Sequence, residues 1–401
     1  MPENAGGMRA GRVSERVSER VSEPHLGASV PTLKSAVSGY SVRVLSVPLD
    51  QVIITRHYRI ETIEMVLLRA RDAHGVCGTA TLWCFGEAQA KVLSTTLGYL
   101  APFALRGGAT DPAAIVSELR REINFFGFKG VSVFAFSAFD MAITDLACRQ
   151  ADVSLGTHLG RRRTEIPAYW SGLFGNQSLP EILAEVDQKL DEGFRAMKLR
   201  TGNRPLDDDM HRVTAVLDRL PADTVLMLDA VQSWTVAETL AACERMEGMP
   251  IRWLEDPLVH NDYDGLATVV ERSSIPIATG ENEYLSDGFR QIFAAGPRYL
   301  LADLERVGGV GEWLKVAEHA RTRGVTLTPH VYPHIALQLC CSLDQAETWI
   351  EYIPWWNPLA TDPLVVRDGN LTVPDIAGAG LDLDPERVEA FSLTSWVDLN
   401  V

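Results

Sequence analysis

The sequence has no Cys-x-x-C pair, no run of basic residues longer than Arg161–Arg163, no Gly-x-Gly-x-x-Gly turn after an early strand and no stretch of about 18 uncharged apolar residues. Each absence removes a class. Six cysteines in 401 residues, with Cys340 and Cys341 adjacent in an apolar stretch, argue against a disulfide framework and read as reduced core thiols. A formal charge of −16 with no longer basic run sets the chain against nucleic acid and anionic membrane surfaces. The opening residues lack the apolar segment of roughly 7–15 residues that marks a secretory signal, so a cytoplasmic protein is expected. No side-chain pattern recurs at a period of roughly 20–50 residues, which removes a solenoid. Without a phosphate-binding glycine turn, a doubly wound dinucleotide fold loses its main signature.

What remains is ordinary globular material, 46% apolar and 22% charged, long enough for two or three domains or one large domain with a module. Residues 1–38 carry Arg-Val-Ser-Glu three times, at 12–15, 16–19 and 20–23, with few large apolar side chains. They are expected to form a disordered extension. From Ser41 the pattern becomes strand-like at Ser41–Val47, Glu64–Ala70 and Val76–Trp83, the last two joined by a tight turn at 71–75. Helical stretches follow at Glu87–Leu105, Pro112–Phe126 and Ser132–Gln150. The third is apolar on all sides, as a helix buried between two domains would be.

From Thr164 the period switches to alternating strand and helix, which favours a parallel sheet because each crossover needs a helix to return the chain. Eight strands are expected: Glu165–Tyr169, Ala196–Arg200, Val225–Asp229, Arg252–Glu255, Pro276–Thr279, Tyr299–Asp303, Val325–Thr328 and Thr348–Ile353. Eight such units are the arithmetic of a closed (β/α)8, TIM-like barrel.

The ends of these strands carry the chemistry. Lys198, Asp229, Glu255, Glu281, Asp303, His330 and Glu351 follow one another at gaps of 31, 26, 26, 22, 27 and 21 residues, each the length of one βα unit. A single acid after a strand is more often a helix N-cap than a ligand. Seven ionisable groups in register with the C-terminal strand ends, where barrel enzymes place their active sites, are harder to explain that way. Asp229, Glu255 and Glu281 would repel one another in a partly dry pocket unless a cation joined them. An all-oxygen set without Cys or His favours Mg²⁺ over Zn²⁺. Asp256 and Glu283 beside them read either as supporting groups or as loop charges. Asp303 and His330 stand on successive strands, so the carboxylate can hold one imidazole nitrogen and leave the other as a base.

These motifs carry a resemblance. Lys198-Leu-Arg200, Leu228-Asp229-Ala230, Trp253-Leu-Glu255-Asp256-Pro257, Thr279-Gly280-Glu281-Asn282, Asp303 with Arg306-Val-Gly-Gly309, Thr328-Pro-His330 and the helix Ala138–Ala147 ahead of Leu159-Gly160 resemble the enolase superfamily, mandelate racemase subgroup, over residues 41–401. The resemblance implies an α+β capping domain at 39–163, a modified (β/α)7β barrel at 164–370 and a C-terminal segment, 371–401, that packs back on the cap. It also implies Mg²⁺ held by Asp229, Glu255 and Glu281, and removal of the proton α to a substrate carboxylate to leave an enediolate, a pattern in which superfamily sites use a Lys or His base with Mg²⁺.

Two departures narrow the chemistry. Racemases of the subgroup usually carry Lys-x-Lys where Lys198-Leu-Arg200 stands, and a guanidinium is a poor base at neutral pH. Val231 fills a position the family often gives to Asn, removing a hydrogen bond to an α-hydroxyl. The expectation is therefore a Mg²⁺-dependent dehydratase of a hydroxy acid such as an acid sugar, giving a 2-keto-3-deoxy acid. His330 and Asp303 would supply the base, Lys198 and Arg200 would neutralise the substrate, and Glu351 would contact its carboxylate, donating a hydrogen bond if protonated. A racemase or epimerase is the alternative, and a non-catalytic binding protein the second. A small carboxylate is the expected partner and a homo-oligomer the expected assembly. Specificity is expected from the cap loop Pro48–Arg59, with Asp50, Arg56 and His57, while the aromatic run Tyr352–Trp356 on the same rim reads either as a stacking surface for a ring or cation or as packing against the cap.

Overall fold

The computed structural model describes residues 29–54 and 59–399, so the Arg-Val-Ser-Glu repeats, Arg56 and His57 lie outside the described residues. Alternating apolar runs at the start of the cap make an antiparallel meander: β1 (Val37–Ile54), β2 (Arg59–Asp72) and β3 (Cys77–Cys84). Asp72 builds the turn into β3, its carboxylate accepting from the amides of His74 and Val76 at 2.9 Å. Two expectations shift here. The segment assigned to a loop at 48–54 is strand, with a register slip between Pro48, which has no amide to donate, and Ile53. Residues 33–38, expected in the extension, are engaged: Leu33 and Val37 are buried, because together they supply the apolar surface that the tail ahead of them lacks.

α1 (Glu87–Ala104) and α3 (Val131–Ala151) cover this meander, and α2 (Pro112–Ile123) packs on both helices. By length and composition α3 is apolar enough to cross a membrane, yet its most apolar window is 89% buried, between β2 and β3 on one side and barrel residues 304–323 on the other. Asp140 on this helix accepts the amides of Val310 (2.5 Å) and Gly311 (3.3 Å), and Asp145 accepts those of Thr79 (2.8 Å) and Ala379 (2.7 Å). One buried helix thus ties cap, barrel and C-terminal segment together. The approach is close enough that a Cβ on Gly78 would lie 2.2 Å from the Leu146 amide nitrogen and 2.3 Å from the Ala142 carbonyl oxygen. Gly78→Ala should therefore cost about 3 kcal/mol or more, since backbone on both sides must move. A denaturant midpoint indistinguishable from the parent's would refute this packing.

The second unit follows the expected alternation closely. β4 (Glu165–Trp170), β5 (Ala196–Arg200), β6 (Val225–Asp229), β7 (Ile251–Glu255), β8 (Ile277–Thr279), β9 (Tyr299–Asp303), β10 (Thr326–His330) and β11 (Ile350–Tyr352) pair parallel in the order β10-β9-β8-β7-β6-β5-β4-β11. Seven helix-bearing connections and a last bare strand make a (β/α)7β barrel under an α+β cap. Side chains close the seam between β10 and β11: Thr328 Oγ1 donates to the Trp349 carbonyl at 2.7 Å and Thr348 Oγ1 to the Leu327 carbonyl at 3.0 Å. The interior is plugged by Tyr169, Met227, Trp253, Tyr299 and Leu301, with Ala196 and Ala278 making room for the rings. β12 (Asn370–Thr372) adds antiparallel to β4, so residues 370–372 stay with the barrel. The chain then reaches the cap, where β13 (Val397–Asp398) extends the meander along β1. All six cysteines are free and five are buried.

Candidate active site

Strand register alone brings the expected residues together. Arg200 pairs with Asp229, Asp229 with Glu255 and Asp303 with His330 across adjacent ladders, so the ionisable ends stand side by side at one rim. Glu281 lies two residues beyond β8, past Gly280, whose φ of +125° and close contact with Leu301 favour glycine. Other positive-φ residues gather on the same rim: Leu173 after β4, Val231 and Gln232 after β6, Asp256 after β7, and Val331 and Tyr332 after β10. Strained backbone is concentrated where a ligand would be held.

At the centre, Lys198 is 1% exposed, with its Nζ 2.6 Å from Glu255, 2.8 Å from Glu351 and 3.7 Å from Asp229. Burial disfavours its charge, but Glu255 and Glu351 outweigh that and hold the ammonium above its ordinary range. Glu351, wholly buried, also accepts from Ser171 Oγ (2.5 Å) and the Val331 amide (2.9 Å). Burial opposes its ionisation, yet Lys198 and then His330 and Arg200 pull it below the usual carboxylate range. The sequence allowed Glu351 to donate if protonated; with Lys198 Nζ at 2.8 Å and donors on both oxygens, it is arranged here as an acceptor. Arg200 stretches from Asp229 (3.4 Å) to the Gly172 carbonyl and Ser171 Oγ, both at 3.0 Å.

The second half of the site is a dyad. His330 Nδ1 lies 2.7 Å from Asp303 and its Nε2 3.1 Å from Glu281. Burial disfavours the imidazolium, but Glu281, Glu351 and Asp303 raise the group to about 9. Asp303 itself, despite burial, is held below its ordinary value by Arg306 and His330, and its other oxygen accepts the Arg306 amide at 2.9 Å. Arg306 in turn lies over the rings of Trp83 and Phe134, so cap residues brace the carboxylate that orients the imidazole.

The three expected metal ligands reach one rim, but their oxygens turn to Lys198, Arg200 and His330. Among the described residues no three His, Cys, Asp or Glu side chains converge closely enough to ligate one ion as they stand. As they stand, the cations of the same ring offset these acids pairwise. The donor set still suits a hard divalent ion. It is all oxygen, and Asp256 Oδ1 is buried with no hydrogen-bond partner. Glu255 is pushed up to about 8, first by burial and then, against the pull of Lys198, by Asp229, Glu351 and Glu281 around it.

Several site residues were not singled out by sequence. Ser171 was missed because a serine one residue past a strand carries no signal alone, and Arg306, present in the Arg306-Val-Gly-Gly309 motif, carried no assigned role. Asp256 left two readings open, and its burial next to Glu281 places it in the site. Glu283 instead accepts from Tyr263 (2.5 Å) and the Tyr284 amide (2.8 Å) and pairs with Lys129 of the cap. Trp356 is buried, donating to Thr81 at 2.8 Å, and Trp355 packs on Trp83. The aromatic run therefore braces the cap.

Residues 40–160 match the mandelate racemase/muconate lactonizing enzyme N-terminal domain family, and residues 181–388 the enolase C-terminal domain-like family. The chain belongs to the enolase superfamily. Among its relatives, L-talarate/galactarate dehydratase of Salmonella typhimurium is 31% identical over 65% of this chain and 66% of that one. 3,6-Anhydro-alpha-L-galactonate cycloisomerase of Streptomyces coelicolor is 27% identical over 83% and 92%. The crystal structure of L-talarate dehydratase from Polaromonas sp. JS666, complexed with Mg and L-glucarate, superposes with a TM-score of 0.83 at 27% identity, covering 91% of this chain and 99% of that one. This superfamily member thus has the barrel that its strand-end spacing implied and the cap that the family resemblance implied.

Proposed function

We propose that this enolase-superfamily protein is a Mg²⁺-dependent acid-sugar dehydratase that converts a hydroxy acid to a 2-keto-3-deoxy acid. The observation that carries the reading is that the site has one proton-accepting side. His330 is held by Asp303 at 2.7 Å with its second nitrogen directed into the carboxylate-lined space, whereas the facing strand presents a lysine locked between two glutamates and an arginine. Inverting a stereocentre by two bases needs an acceptor on both faces, and loss of water needs only one. Asp229, Glu255 and Glu281 would hold the ion, with Asp256 beside them. When bound, Mg²⁺ neutralises charge that develops on the substrate carboxylate as the α-proton leaves.

The chain's own residues supply the rest. His330 Nε2 takes the α-proton, Asp303 stabilises the imidazolium, and Lys198 and Arg200 keep the pocket attractive to an anion. The imidazolium then returns that proton to the β-hydroxyl, which departs as water, and the resulting enol becomes the keto acid. The dehydratase relative and the glucarate-bound neighbour support this class. The cycloisomerase relative supports a second reading, isomerisation from the same proton abstraction. Incubating a panel of sugar mono- and diacids with Mg²⁺ in deuterated water separates them. Accumulation of 2-keto acid, stopped by a chelator, is the expected result. Deuterium wash-in with inversion at the α-carbon and no keto acid would establish the isomerase instead.

A further inference from the structure

Beside the ring of strand-end groups lies an open cavity of about 620 Å³, between Ile54 at the tip of β1 and the turns that follow β4, β5 and β6. Its lining mixes apolar surface, with Ile54 and Pro205, and four polar side chains, Asn176, Asn203, Arg204 and Ser233, over a floor kept low by Gly175 and Gly202. A Cβ on Gly202, at φ +87°, would lie 2.8 Å from both the Ala230 carbonyl oxygen and Ser233 Cβ. The cavity adjoins the site, since Gly202 is two residues past Arg200 and Ser233 four past Asp229.

Three guanidiniums gather here on the carbonyls of the turn after β4. Arg200 donates to Gly172 (3.0 Å), Arg212 to Phe174 (3.2 Å), and Arg204 to Gly175 (3.1 and 3.2 Å) and Gln177 (3.2 Å). Two of the three have an acid, Asp229 for Arg200 and Asp209 for Arg212, while Asp207 is turned to Arg245. Arg204 has no carboxylate within ion-pairing distance among the described residues, and its bonds use Nε and Nη2. A guanidinium fixed by three carbonyl bonds and lining a cavity, its nearest acid, Asp209, felt through space but bonded to Arg212, is preorganised for a carboxylate.

We propose that this cavity takes the distal carboxylate of the substrate on Arg204, with Asn176, Asn203 and Ser233 meeting hydroxyls along the chain, so that the acid is a sugar diacid. The choice of a sugar rests on the dehydratase reading; the distal anion does not. The test is calorimetric titration, in the presence of Mg²⁺, with adipate and hexanoate, six-carbon acids that have no stereocentre and cannot be dehydrated. Adipate should bind at least about tenfold more tightly than hexanoate, and Arg204→Gln should remove the advantage, consistent with about ten- to a hundredfold for a charged hydrogen-bonded contact. Because Arg204 also clasps a turn, Asn203→Asp provides an independent check: a new carboxylate at the rim should weaken adipate more than hexanoate. Equal binding of the two acids, or a preference that survives both substitutions, overturns the proposal. If the adipate preference depends on Arg204 yet no sugar acid yields keto acid, the dehydratase reading fails alone. If monoacids are dehydrated as readily as diacids and Arg204→Gln leaves that ratio unchanged, the diacid inference fails alone.

Discussion

His330→Asn is expected to lower turnover by at least about 10³-fold while the thermal midpoint and the response to Mg²⁺ stay close to the parent's. Asparagine keeps a polar group of similar reach toward Asp303, so the 2.7 Å contact can be partly replaced, but it has no basic nitrogen to take a proton. Positioned general bases contribute roughly 10²–10⁴-fold, and here the other side of the site has no free acceptor to substitute. Lys198 is held by Glu255 and Glu351, and Arg200 is a guanidinium. Turnover within tenfold of the parent's would move the base to Lys198 and reopen the two-base isomerase reading. Measuring solvent-deuterium exchange into the α-carbon alongside product formation sharpens this, because loss of the base should suppress both together.

Glu255→Gln should abolish the Mg²⁺-dependent rise in melting temperature and depress turnover by a further comparable factor. Glu255 is wholly buried and accepts from Lys198 at 2.6 Å and from Trp253 Nε1 at 3.1 Å. The amide preserves shape but removes the charge nearest the lysine, leaving Glu351 as its remaining close partner at 2.8 Å. Breaking one arm of a buried ion pair costs roughly 3–5 kcal/mol, so a lower melting point without Mg²⁺ is also expected. The diagnostic quantity is the difference between melts with and without the ion, which separates lost ligation from lost packing. A parent protein whose melt ignores Mg²⁺ and matches that of Glu255→Gln would favour a non-catalytic binding protein.

Much of this architecture was legible because βα units impose a ruler on the chain. Ala196–Arg200, Val225–Asp229 and Tyr299–Asp303 form over the residues expected, each an apolar run closed by a polar group and followed by an amphipathic helix. Legibility failed where neighbours overrule local pattern. β1 continues through Pro48 to Ile54 because β2 resumes its pairing at Ile60, which no local signal records. The aromatic run near Trp355 left ligand stacking and cap packing both open, and contacts with Trp83, Thr81 and Tyr332, distant in sequence, decide for the cap.

By itself the sequence determined which groups stand at the strand ends, because periodicity in an α/β barrel converts chain position into position around a ring. It thereby placed the three candidate acids and the His330–Asp303 pair on one ring, while the family resemblance supplied the meaning of Arg200 where a second lysine is usual. Only the tertiary structure decided what those groups do to one another. Lys198 is committed to two glutamates, Glu351 accepts from Lys198 and Ser171, Arg306 is braced by the cap, and Arg204 lines a cavity with no bonded acid among the described residues. The reason is that charge energies depend on separation and burial, and both are set by packing across elements far apart in the chain.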